Sequence, residues 1–150
     1  MVSRALIVND AHHPDGTFLQ SATSLCRRLG AAPVVLTVAR SERSSRRGTA
    51  LALAALQGSG LGILLDSLVG LGVRTAIGRI ARWRRCQLVM MNPQPLPWWD
   101  WRRGTCLPRL VNWLPDLSFL AVPPGMAAGL ESLTRSAGVR DPTRDTSNMP

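Results

Sequence analysis

Three tryptophans fall within four residues, Trp98, Trp99 and Trp101, in a segment that also holds Pro93, Pro95 and Pro97. Indole rings are large and planar with one polar handle, so the cluster suits stacking on a base or a hydrophobic contact with a protein partner. The competing reading has the loop fold back over a sheet edge and bury two of the rings. A partner or dimer surface is preferred. A second group, Arg79, Arg82, Trp83, Arg84 and Arg85, gathers guanidinium groups and an indole at one helix end. This would suit RNA or an acidic surface, but cations near a helix C-terminus are also favoured by the dipole alone. The cheaper account is taken, and nucleic acid is not expected as a partner. His12 and His13 are read as loop residues, with no metal site expected. The sequence contains no nucleophile–base pair, no GxGxxG and no Walker glycine loop, so no catalytic residue is assigned and the chain is not expected to be an enzyme.

Composition sets the frame around these groups. The chain has 150 residues, 45% of them hydrophobic, which suits one globular domain with a real core. All 18 basic residues are Arg, and the net charge is +9. The sign permits nucleic acid, nucleotide or an acidic membrane surface and selects none of them. Cys26, Cys86 and Cys106 form no close pair, which reads as reduced thiols in a cytoplasmic protein. Ala50 to Val73 is long and poor in charge, as a membrane span would be. Gln57, Asp66 and five glycines interrupt it, so a soluble helix–turn–strand is expected and no membrane span.

The elements that must position the chemistry follow from apolar runs and punctuation. Ala5–Val8 reads as a first strand halting at Asn9-Asp10, and Asp15 as the cap of a helix carrying Phe18, Ala22, Leu25 and Leu29. Gly30 closes that helix, and Pro33–Val38 is a second buried strand. Ser41–Gly48 reads as a polar, arginine-rich link into a helix over Thr49–Gln57. Leu61–Leu65 is predicted as a third strand with Asp66 at its end, followed by a helix through Val73, Ile77, Ile80 and Ala81. Leu88–Met91 is the fourth strand. Leu107, Leu110, Val111 and Leu114 mark a last helix, and Leu117–Val122 a fifth strand stopped by Pro123. Alternating strands and helices with short links predict an α/β protein, a five-stranded parallel sheet in a three-layer α/β/α sandwich. Residues 1–125 are expected to form the domain and 126–150 a largely disordered tail. In such a sheet, ligands bind outside the carboxyl ends of the strands, where the long loop after Met91 departs.

This order of elements resembles the universal stress protein family over about Arg4–Pro123. The resemblance is carried by the strand ending in Asp10, the Cys26–Ala31 helix end, Val34–Val38, Ile77–Ala81, Leu88–Met91, the Gly104-Thr105 step and Phe119–Pro123. It implies an adenine-nucleotide-hydrolase-like, Rossmann-like topology and a role in stress response. It also implies a nucleotide site, for ATP or AMP, drawn from Asp10, Val38, Asn92, Arg103, Gly104 and Thr105. In nucleotide-binding members the residue at the Asp10 position contacts the adenosine end. The Gly104-Thr105 step supplies backbone amides and a hydroxyl for phosphate, using the free N–H groups and dipole of a helix start. Two glycines expected earlier in that loop are replaced here by Asn92 and Pro95. Proline has no N–H to donate and its ring blocks close approach, which argues against ATP held in the family's manner. Plainer readings make Asp10 a turn cap, Thr105 a helix cap and Arg102 and Arg103 solvated charges. The resemblance further implies a homodimer through Ser118–Val122. The expected function is a non-catalytic regulatory or interaction module with an unknown protein partner. The alternatives are a sensor of adenine nucleotide or cyclic dinucleotide, and a basic nucleic-acid-binding protein.

Overall fold

Every strand of the sheet runs the same way. The computed structural model describes residues 3–58, 62–92 and 112–123. Its elements are β1 (Arg4–Asp10), α1 (Gly16–Leu29), β2 (Ala32–Ala39), α2 (Glu42–Leu56), β3 (Leu64–Val69), α3 (Val73–Arg84), β4 (Leu88–Met91) and β5 (Ser118–Ala121). The strands pair in parallel in the order β3-β2-β1-β4-β5. The chain thus builds outward from β1 in one direction and then, from β4, in the other. Between β1 and β4 the sheet has its topological switch point.

Side-chain alternation along the two central strands assigns the layers. Ala5, Ile7 and Val35 join Phe18, Leu19, Ala22, Ala52 and Leu56 in one core, under α1 and α2. Leu6, Val8, Val34, Leu36 and Val38 join Ala76, Ile77, Ile80 and Ala81 in the other, under α3. Both faces of β1 and β2 are therefore covered, which explains why their sequences run apolar without alternation. The expected three-layer α/β sandwich is what the chain forms.

Two helix ends match their sequence signals. Asp15 caps α1 by accepting the Phe18 N–H at 3.1 Å, and Gly30 ends it at φ +67°, the left-handed conformation that glycine adopts without penalty. Two boundaries differ from expectation. α2 begins at Glu42 and not at Thr49, because Ser41 Oγ accepts the Ser44 N–H at 3.2 Å and caps a helix whose arginines simply face water. β3 runs Leu64–Val69, three residues later than the apolar run suggested. Its place is set by pairing with Val34–Ala39. As an edge strand it tolerates Asp66 and Ser67 within it, and Asp66 lies inside the strand and not at its end.

Cys26 and Cys86 are buried free thiols, and burial pushes them up to about 12 and about 11 respectively. No helix among the described residues is long and apolar enough to cross a membrane. The expected tail, and all of the last helix except Asn112 and Trp113 at its end together with Leu114, lie outside the described residues.

Candidate functional site

The carboxyl ends of β1, β2 and β4 come together at the switch point. Register Ile7↔Met90 between β1 and β4 leads on toward Asn9 and Asn92, and register Asp10↔Val38 sets the ends of β1 and β2 level. Beneath this end lies a polar knot. Asn9 is 2% exposed and its Nδ2 donates to Thr37 Oγ1 at 3.2 Å and to the Gly48 carbonyl at 3.1 Å. One side chain thereby ties β1, β2 and α2 together. Gly48 has no room for more: a Cβ there would meet Thr37 Cγ2 at 3.0 Å and Ala11 Cβ at 3.1 Å. Here glycine serves close approach of a helix to a strand end.

Above the knot stand the predicted site residues. Asp10 Oδ1 accepts the His12 N–H at 2.9 Å, the Asx turn of the plainer reading. The Val38 carbonyl accepts the Ala11 N–H at 3.0 Å, while the Val38 side chain sits in the core under α3. Asn92 Nδ2 donates to Asp15 Oδ2 at 3.2 Å, linking the end of β4 to the cap of α1. The structure thus brings Asp10, Asp15, Val38 and Asn92 to one end of the sheet. A carboxylate at the start of α1 already answers the helix dipole there. Arg103, Gly104, Thr105, Trp98, Trp99 and Trp101 lie outside the described residues, as do Arg102 and Pro95.

Asp66, isolated in the sequence, has a partner. Arg84 Nε and Nη2 reach its two carboxylate oxygens at 2.8 Å and 2.9 Å. The hydrogen bond to Asp66 raises the Arg84 guanidinium further above its already high ordinary value. Arg84 is thus no free outward charge. It also stacks over the Trp83 ring, 4.1 Å from the centroid. On the same side of the sheet Arg74 stacks over Trp113 at 4.3 Å. Between the two pairs lies an open groove of about 500 Å³, lined by Arg74, Gly78, Arg79, Arg82, Trp83 and Trp113 among others. It lies on the outer surface of α3, on the face of the sheet opposite α1 and α2. Among the described residues no group of three metal-binding side chains gathers.

Sequence reasoning missed these features, the Asp66–Arg84 pair included. Asn9 was legible only as the stop of a strand, since its burial depends on Thr37 and Gly48 arriving from far along the chain. The Arg74–Trp113 stack had no local signal at all, the two being in different elements.

No family model and no curated protein matches the chain. Among solved structures it is similar to a universal stress protein in complex with cAMP, at TM-score 0.58 and 16% identity, over 83% of this chain and 99% of that one. At that identity the likeness is one of fold, and the chain has the α/β, Rossmann-like architecture of that universal stress protein.

Proposed function

We propose that the chain is a regulatory module of the universal stress protein kind, acting in stress response by association and not by catalysis. The observation that carries this is the placement of β5. Among the described residues Ser118–Ala121 is the outermost strand on its side of the sheet, it has no charged residue, and Leu120 is 37% exposed. An edge strand of that kind presents unpaired backbone groups and apolar side chains to a second strand. A second copy of the chain pairing there through Ser118–Val122 satisfies both. The switch point supports the same reading. Asn92 stands where a phosphate-binding loop of the family type would have glycine, and it is held by Asp15.

A second reading, a sensor of adenine nucleotide or cyclic dinucleotide, has its own support. The protein of similar fold was solved with cAMP. The Asp10 carboxylate and the Val38 carbonyl sit at the strand ends, and each has acceptor capacity beyond the backbone N–H it receives from His12 and Ala11 respectively. Thermal unfolding in millimolar ATP, AMP, cAMP and cyclic di-AMP separates the two, because a ligand that binds only the folded chain must raise the midpoint. The first reading gives an unchanged midpoint. A rise with one nucleotide, lost in Asp10→Ala, establishes the sensor.

A further inference from the structure

We propose that the groove on α3 binds single-stranded nucleic acid, its arginines holding phosphates while Trp83 and Trp113 stack on bases. The proposal is independent of the switch point and of pairing through β5. The sequence alone favoured the helix dipole as the reason for arginines on this helix. The structure limits that explanation. The dipole favours Arg82 and Arg84 in the last turn, but Arg74 occupies the first turn, where a cation is disfavoured, and Arg79 lies between. α3 carries no acidic residue, and among the described residues no carboxylate lines the groove. Among the described residues none pairs with Arg79 or Arg82. Three guanidinium groups are therefore held together at one surface against their mutual repulsion.

The indoles decide the class of partner. Trp83 is 64% exposed and Trp113 42% exposed, and both line the groove. An acidic peptide would be served by charge alone and gives no reason to hold two rings in water. A nucleic acid strand uses both features: phosphate for the guanidinium groups, a π-face for each ring. Each indole is also backed by a guanidinium, Arg74 behind Trp113 and Arg84 behind Trp83, and Arg84 is itself fixed by Asp66. These contacts leave the ring orientation set before a base arrives. A Cβ on Gly78 would meet Leu114 Cδ2 at 3.3 Å, so the segment bearing Trp113 packs closely on α3 at this point. At about 500 Å³ the groove falls within the ~300–1,000 Å³ common to small-ligand pockets, room for part of a strand.

The test is fluorescence anisotropy of labelled oligo(U) and oligo(dT) of about 12 nucleotides, within the span of known single-strand sites, across a salt series. The unmodified chain should bind both, with affinity falling as salt rises. Arg79→Gln with Arg82→Gln should flatten the log–log salt slope by about 1.4, at ~0.7 per phosphate contact. Trp83→Ala should weaken binding ~5–140-fold, and with so exposed a ring the unfolding midpoint should hardly move. Arg43→Gln with Arg46→Gln makes the same charge change on α2, across the sheet, and should leave affinity within about twofold. Absence of binding overturns the proposal. So do an equal loss in the α2 pair, an inert Trp83→Ala, or poly-glutamate competing as well as the oligomers, which would mark the groove as a site for acidic protein.

Discussion

Replacing Asn9 by alanine should do more damage than its small side chain suggests. Asn9 is buried at the carboxyl end of β1 and donates to Thr37 Oγ1 at 3.2 Å and to the Gly48 carbonyl at 3.1 Å. Each neutral hydrogen bond contributes about 1 kcal/mol net. Gly48, inside α2, keeps its helical acceptor role, so its carbonyl is not stranded, but the space vacated by the carboxamide adds a cavity cost of order 1 kcal/mol. The expected loss is about 2–3 kcal/mol. With a urea m-value of ~1.5 kcal/mol/M, the midpoint should fall by ~1.3–2 M. Thr37→Val breaks one of the same bonds and should cost about 1 kcal/mol alone. In the double variant the two effects should fall short of additive by ~0.5–1.5 kcal/mol, because the residues share a bond. Asn9→Asp, which cannot donate and brings a buried charge, should be worse than alanine at neutral pH. A cost below about 0.5 kcal/mol for Asn9→Ala, or strict additivity with Thr37→Val, would refute the knot as the tie between sheet and α2.

Other consequences can be checked on the same purified protein. Gly48→Val should cost about 2–3 kcal/mol by urea unfolding, since its branches would press on Thr37 and Ala11. Arg85 ends α3 at φ +56°, a strained angle for any residue but glycine, so Arg85→Gly should stabilise by ~0.5–1 kcal/mol. Cys26 and Cys86, raised by burial to about 12 and about 11, should resist a thiol reagent until the chain unfolds. In the unfolded chain these thiols ionise near the ordinary value of about 9 while the folded chain keeps them protonated. Their contribution to stability is therefore complete below about pH 9 and is lost as pH climbs toward 11–12. A midpoint that rises over that interval would contradict it.

The sequence carried the architecture well because its signals were local. Short, β-branched, unalternating runs such as Val34–Val38 mark strands covered on both faces, and Asp15 and Gly30 marked both ends of α1. Where a boundary was set by a distant partner, local pattern failed. β3 is placed by its pairing with β2 and not by the apolar residues 61–65, and α2 starts at a serine cap that a polar composition disguised as a loop. The candidate site divided in the same way. The placement of Asp10, Val38 and Asn92 was legible because they lie at or just past the carboxyl ends of β1, β2 and β4, which any parallel sheet gathers at one edge. Asn9, the Asp66–Arg84 pair and the groove between α3 and Trp113 depend on elements meeting across the fold, and nothing in their neighbours announces them.

The central claim is association through β5, and sedimentation velocity at micromolar concentration tests it most directly. The account predicts a species of twice the 16.3 kDa chain mass. Leu120→Arg, which puts a charge on the exposed face of that edge, should return it to the single-chain mass. A native chain that sediments as a monomer, or a dimer indifferent to Leu120→Arg, would contradict it.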